Sequence, residues 1–366
     1  MRLSTDPAAR RQAKQRQPAA VVALVTGLVA GSGGDGEKPT SGAEPSRAQQ
    51  ELAAVDRLTL RQQVGQLIVS TFSGGRPPAY IRRRLRARET AGVILFGSNA
   101  ATRPEWLQLT RAIQRNAGGG ALVLVDQEGG EIRSVPWAGP PLSQPLQGTT
   151  DQVRTAARDA ARQLHGAGVN VNLAPVADLP GTAVMAGRAF AEDVPARTQA
   201  AVEGMRAGGV AATAKHFPGL GQAQVNTDDG STTSAPDLAP FRAAIAADVP
   251  LIMLSHASYP ALDARRIASQ SPAIATGLLR GRLGYDGVVV TDSLEAQAVL
   301  DRSNIAVAAE RSIRAGADLV LTTGSASWND VFPRLLARAR SSKAFRERVR
   351  RSAARVLELK RALGLR

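Results

Sequence analysis

From about residue 51 the chain alternates short apolar runs with Ala-, Arg- and Leu-rich stretches of helical spacing. The runs are 64–70 (VGQLIVS), 92–96 (GVILF), 121–126 (ALVLVD), 169–174 (VNVNLA), 209–215 (GVAATAK), 250–255 (PLIMLS), 286–292 (DGVVVTD) and 317–322 (ADLVLT). Most are unbroken Val/Ile/Leu rather than alternating, the pattern of parallel strands buried on both faces. Between them, 151–165 sets Val153, Ala156, Ala157, Ala160 and Leu164 along one side of a helix. Eight strand–helix units in roughly 280 residues predict a single-domain α/β fold, the (β/α)8 TIM-type barrel, which takes about 250 residues. A doubly wound sheet is the rival, but no Gly-x-Gly-x-x-Gly follows the first run.

The start of the chain has a different texture. Arg10, Arg11, Lys14 and Arg16 precede an uncharged, Ala/Val-rich run over 18–34. Residues 1–34 therefore read as a signal peptide or membrane-anchor-like leader, too short for a confident membrane span, and the Gly-, Ser- and Pro-rich residues 35–50 read as a flexible linker. The rival reading is a chance Ala/Val-rich start on a cytoplasmic protein. Leu28-Val29-Ala30-Gly31-Ser32 is similar to a bacterial lipoprotein signal with serine in place of the acylated cysteine, so lipid attachment is excluded. The expected destination is export, extracellular or associated with the cell envelope.

Composition narrows the chemistry. With no cysteine there is no disulfide, no thiolate metal site and no cysteine nucleophile, and His165, His216 and His256 are the only imidazoles. No metal or organic cofactor is expected. The formal charge of +15 invites a polyanion-binding reading, but it sits at the ends. Residues 1–36 carry five basic and two acidic side chains, residues 334–366 carry twelve and two, and the body between them nets about +2. In the basic tail, Phe345, Val349, Ala353, Val356 and Leu363 recur at helical spacing, predicting an amphipathic helix that packs on the barrel and turns arginine outward. The expected partners are a carbohydrate substrate, no specific nucleic acid, and only weak electrostatic contact with anionic wall polymer or a membrane surface; the chain is expected to act as a monomer.

Active sites of (β/α)8 barrels collect at the carboxyl ends of the strands. Polar residues cluster there: Asp126, Gln127 and Glu128 after the third run, Asp178 past the fourth, Lys215 and His216 at the fifth, Ser255 and His256 at the sixth, and Asp292 at the seventh. Several charged groups at one mouth imply a pocket rather than isolated caps.

The strings DQEGG (126–130), NLAPVADL (172–179), GRAF (187–190), KHFPG (215–219), SHASYPALD (255–263) and GVVVTDSL (287–294) resemble glycoside hydrolase family 3, and RVLELKRALGL resembles its closing helix. The resemblance is to the single-domain branch of β-N-acetylhexosaminidases, which act on peptidoglycan-type sugars. It implies that Asp292 is the nucleophile of a retaining glycosidase, forming a covalent glycosyl ester. It further implies that Asp126, Arg188, Lys215 and His216 bind sugar hydroxyls, and His256 is counted with them.

Two segments depart from the family pattern. Where that branch carries an Asp/His proton-transfer dyad after KHFPG, this chain reads LGQAQVNTDDG: Leu220 replaces one histidine, Asn226 the dyad aspartate and Asp228 the dyad histidine. Asp228 or Asp229 is then the expected proton donor, with Glu128 and Glu295 as further candidates. The other outcome is a catalytically impaired glycan-binding paralogue. After DQEGG, Ser134 stands where the family has arginine, and Arg133 lies one position earlier. The expected activity is hydrolysis of β-N-acetylhexosaminides by an exported retaining β-glycosidase.

Overall fold

The computed structural model describes residues 47–366, with side chains from Leu52 onward. The leader over 1–34 and residues 35–46 of the linker lie outside the described residues. Residues 47–50, assigned above to the linker, instead open a helix, Arg47–Asp56.

Eight parallel strands close into a barrel: β1 (Ile68–Ser70), β2 (Gly92–Ile94), β3 (Leu122–Val125), β4 (Val171–Asn172), β5 (Ala211–Phe217), β6 (Leu251–Leu254), β7 (Val288–Ser293) and β8 (Leu319–Leu321). Each pairs with its neighbours in chain order, and Ile68 opposite Val320 closes the ring. All eight overlap the runs read from sequence, β5 and β7 extending past theirs to Phe217 and Ser293, although the first run opens on two helical residues, Val64 and Gly65. A reciprocal cap at Thr59, whose side chain accepts from Gln62 N–H, starts a helical turn over Leu60–Gly65 and delays β1 to Ile68.

The unbroken apolar runs arise because both faces of each strand are covered. Leu122 and Leu124 point into the barrel with Leu251, Met253, Val288 and Val290. The alternate residues, Val123, Val125, Ile252, Leu254 and Val289, face the surrounding helices. The predicted helix forms over Thr150–Gly166, capped by Thr149, and buries Val153, Ala157, Ala160, Ala161 and Leu164.

The basic tail forms the helix Lys343–Ala362 and crosses the amino ends of the strands, where Val356 and Leu359 join the barrel interior. Its arginines are more engaged than a solvated face implies. Arg348 donates to Asp318 at 2.9 Å and to the Ile313, Gly316 and Ala317 carbonyls, and Arg350 forms a two-pronged pair with Asp56. Asp318, wholly buried, also takes Ser352 Oγ and Arg280. Among the described residues no helix is long and apolar enough to cross a membrane.

Candidate active site

At the carboxyl end of the barrel lies a cavity of about 690 Å³. Ile94, Leu173, Met253 and Leu321, from the upper layer of the barrel interior, line its base.

The DQEGG segment follows β3 directly. Gln127 ties it down: its backbone N–H donates to Asn172 Oδ1 at 3.0 Å, and its side-chain amide bonds Val135 and the Ala138 and Gly139 carbonyls. Gly129 turns the chain at φ 113°, and a Cβ there would lie 2.2 Å from the Leu142 carbonyl oxygen, so only glycine fits. This leaves Asp126 and Glu128 beside β5.

In a regular strand Lys215 and His216 would face opposite sides. The β5–β6 ladder loses register between Ala214 and Phe217, and both side chains line the cavity. Lys215 Nζ donates to Asp126 Oδ1 and Glu128 Oε1, each at 2.7 Å, and Arg188 grips Glu128 through Nε at 3.0 Å and Nη2 at 2.7 Å. Burial pushes the Glu128 carboxyl up, but the two cations outweigh it and hold the group at about 2. Lys215 is buried as well, which disfavours its charge, yet Asp126 and Glu128 raise it above its ordinary value. The cluster is a lattice of charges drawn from three separate segments: the DQEGG stretch after β3, the stretch carrying Arg188, and β5.

Asp178, with no side-chain exposure, receives His216 N–H at 3.1 Å, Leu220 N–H at 2.6 Å and His216 Nδ1 at 2.7 Å. That bond places the Nδ1 proton on the Asp178 side and aims Nε2 at Asp292, 3.8 Å from Oδ2. The Asp292 side chain is 20% exposed at the cavity wall, and Oδ1 accepts Ser293 N–H at 2.8 Å. Burial alone would raise its carboxyl; His216, His256, Lys215 and the Ser293 N–H together hold it below the ordinary value.

Asp228 and Asn226 line the same cavity on the loop after β5. Residues beyond β7 pin that loop, Gln297 N–H donating to the Asp228 carbonyl at 3.2 Å and Ala298 N–H to the Thr227 carbonyl at 3.1 Å. Desolvation and the negative charge of Asp292 push the Asp228 carboxyl above its ordinary value, against smaller opposing effects of His216, His256 and Arg188. Two carboxyls in one cavity are thus driven in opposite directions.

A family model, the glycosyl hydrolase family 3 N terminal domain, matches residues 59–359. The chain belongs to glycoside hydrolase family 3. It is 35% identical over 277 residues to a beta-hexosaminidase of Stenotrophomonas maltophilia, covering 70% of this chain and 82% of that one. It is 32% identical over 378 residues to the beta-hexosaminidase LpqI of Mycobacterium tuberculosis, covering 93% and 95%. Among solved structures, a beta-N-acetylhexosaminidase from Beutenbergia cavernae superposes with a TM-score of 0.77 at 30% identity, over 83% of this chain and 98% of that one.

Within this family 3 site, Asp126, Arg188, Lys215, His216, Asp228 and Asp292 come together as the sequence reading expects. His256 and Asp229 do not. His256 is wholly buried behind the wall, its Nε2 donating to the Ser293 carbonyl at 2.9 Å and its Nδ1 2.7 Å from Ser269 Oγ, and burial lowers its pKa. It holds the strand end that carries Asp292 and cannot reach a sugar. Asp228 and Asp229 are both exposed, but only Asp228 lines the cavity. The other two carboxylates considered as donors are also spoken for. Glu128 is clamped in its ionised form, and Glu295 accepts from Thr323 N–H at 2.9 Å, Gly324 N–H at 2.8 Å and the Ser293 hydroxyl at 3.0 Å, outside the cavity wall.

Arg133, displaced by one residue in sequence, still lines the cavity with Ser134. Sequence reasoning noticed Asp178 only as one polar strand end; its position in the NLAPVADL motif was the available signal. Among the described residues no three His, Asp or Glu side chains converge as a metal site does.

Proposed function

We propose that the protein is an exported retaining β-N-acetylhexosaminidase in which Asp292 is the nucleophile and Asp228 the acid/base. The observation that carries this reading is that Asp228 and Asp292 line one cavity, in surroundings that displace their carboxyls in the opposite directions an acid and a nucleophile require. The relatives named beta-hexosaminidase support the sugar class. A fungal relative described as a secreted glycosyl hydrolase, together with the leader over 1–34, supports export.

In the first half-reaction an Asp292 carboxylate oxygen attacks the anomeric carbon while Asp228 gives its proton to the departing glycosidic oxygen. In the second, Asp228 takes a proton from water, whose oxygen displaces Asp292 and restores the carboxylate with net retention. Lys215, Arg188 and Asp126 form a preorganised rim for sugar hydroxyls, costing no reorganisation when charge develops.

The test compares aryl β-N-acetylglucosaminides with good and poor leaving groups. Asp292→Asn abolishes turnover of all of them. Asp228→Asn keeps turnover of a dinitrophenyl glycoside within about tenfold in its first step but loses roughly 10²–10⁴-fold on a poor leaving group. An Asp228→Asn variant equally impaired on both substrates removes Asp228 from the acid role. A wild-type chain that binds the sugar and turns over none of the panel supports the impaired glycan-binding paralogue instead.

A further inference from the structure

The near neutrality of the body conceals a strongly basic hollow. A hairpin beyond β6 (Ser258–Tyr259 with Asp263–Ile267) and the helix Ile305–Ala315 bracket a cavity of about 570 Å³ lined by Arg265, Arg266, Arg302, Arg311 and Arg314. It shares no lining residue with the cavity that holds Asp292. Counter-charges are scarce. Arg266 lies 3.5 Å from Asp263, and Arg302 donates to Ser258 Oγ at 3.0 Å. Arg265, Arg311 and Arg314 have no carboxylate partner among the described residues, whereas Arg188, Arg280, Arg348 and Arg350 are all paired.

A second observation is independent of charge. Gln270 lines the same hollow, is only 6% exposed, and its Nε2 has no hydrogen-bond partner. A buried amide left unsatisfied is costly. A half-turn of this amide would present its N–H to an oxygen-rich anion in the hollow, and the anion's charge would offset the mutual repulsion of the guanidiniums.

We propose that this hollow is a binding site for phosphate groups, with the guanidiniums taking the charge and Gln270 Nε2 donating to a phosphate oxygen. A phosphate carries more charge than one carboxylate, and its oxygens match the planar donor fork of arginine. The volume exceeds that of a lone phosphate, so the ligand extends beyond it, either as a small phosphorylated sugar or as a run of a phosphodiester strand. The hollow adjoins the loop that carries Asp228: Arg302 follows Asp301, whose carboxylate accepts Ser231 Oγ from that loop at 3.0 Å. Binding here is independent of whether the chain hydrolyses glycosides.

Calorimetric titration of the full chain at low ionic strength uses inorganic phosphate, glucose 6-phosphate and a short linear polyphosphate as probes, with citrate as a carboxylate control. Saturable binding of at least one phosphate probe is expected. Arg311→Gln/Arg314→Gln weakens it by about tenfold, and Arg265→Gln, on the hairpin, weakens it independently of that helix. Gln270→Leu weakens it by about fivefold with the salt dependence unchanged, which no purely electrostatic surface would show. Arg351→Gln/Arg361→Gln, on the exposed face of the last helix, binds as the wild type does. Preference for glucose 6-phosphate assigns a small ligand, and preference for polyphosphate a strand. The proposal is overturned by no saturable binding of any phosphate probe, by equal affinity for citrate, by an equal loss in the tail variant, or by wild-type affinity in the Gln270 and arginine variants.

Discussion

Asp178 holds both the ring and the backbone of His216: its Oδ2 lies 2.7 Å from Nδ1, and the same carboxylate accepts the His216 backbone N–H at 3.1 Å. The imidazole therefore meets Asp292 in one orientation, with Nε2 foremost. Asp178→Asn gives this carboxylate's several donors one oxygen instead of two and opposes them with an amide N–H. The expected outcome is a fall in kcat of about 10²-fold on an aryl β-N-acetylglucosaminide and a destabilisation of about 1–3 kcal/mol. Steady-state kinetics and thermal melting check it; unchanged kcat in a folded variant removes the orienting role.

The opposite displacements of Asp228 and Asp292 set the shape of the pH profile. The active form has Asp292 ionised and Asp228 protonated, so activity falls in acid as Asp292 gains a proton and falls in alkali as Asp228 loses one. The acid limb then lies below the ordinary carboxylate range and the alkaline limb above it. In Asp228→Asn the alkaline limb vanishes from kcat/KM measured with an activated aryl glycoside, because the group that titrates there is gone. Persistence of that limb assigns it to another residue.

Glu128 ties the site to acid stability. Its carboxyl is held at about 2 in the fold against an ordinary 4.5, a difference worth about 3 kcal/mol. Because the folded value is the lower, this stabilisation is complete above pH 4.5 and disappears as pH falls toward 2. Glu128→Gln leaves Lys215 and Arg188 short of a counter-charge and is expected to melt well below the wild type at pH 7, by about 3–5 kcal/mol. The gap between the two chains should close as the pH is lowered through that window. A gap independent of pH would mean that lost packing, not lost charge, causes the defect.

Asp318 gathers Arg280, Arg348 and Ser352 at the far end of the barrel from the cavity. Asp318→Ala strands these buried guanidiniums and is expected to cost about 3–5 kcal/mol of stability. Turnover measured well below the lowered melting temperature should match the wild type, since no cavity residue is touched. A selective loss of activity at full stability would contradict that division of labour.

The sequence by itself determined the barrel, because a strand covered on both faces must be apolar at every position, and eight such runs leave little freedom in how the chain closes. It also marked Asp292, Lys215 and His216, which stand in motifs whose chemistry is local. It did not separate Asp228 from Asp229, nor reveal that Glu128 and Glu295 are fully occupied by other donors and that His256 lies behind the wall. Each of those depends on groups far away in the chain: Glu128 on Arg188 and Lys215, Glu295 on Thr323 and Gly324, His256 on Ser293. Charge behaved the same way. Counting residues showed a neutral body and basic ends, while the fold neutralised part of the tail against Asp318 and Asp56 and concentrated five arginines of the body around one hollow. Burial and neighbouring charge decide what an ionisable group does, and both are properties of the closed barrel rather than of the string of residues.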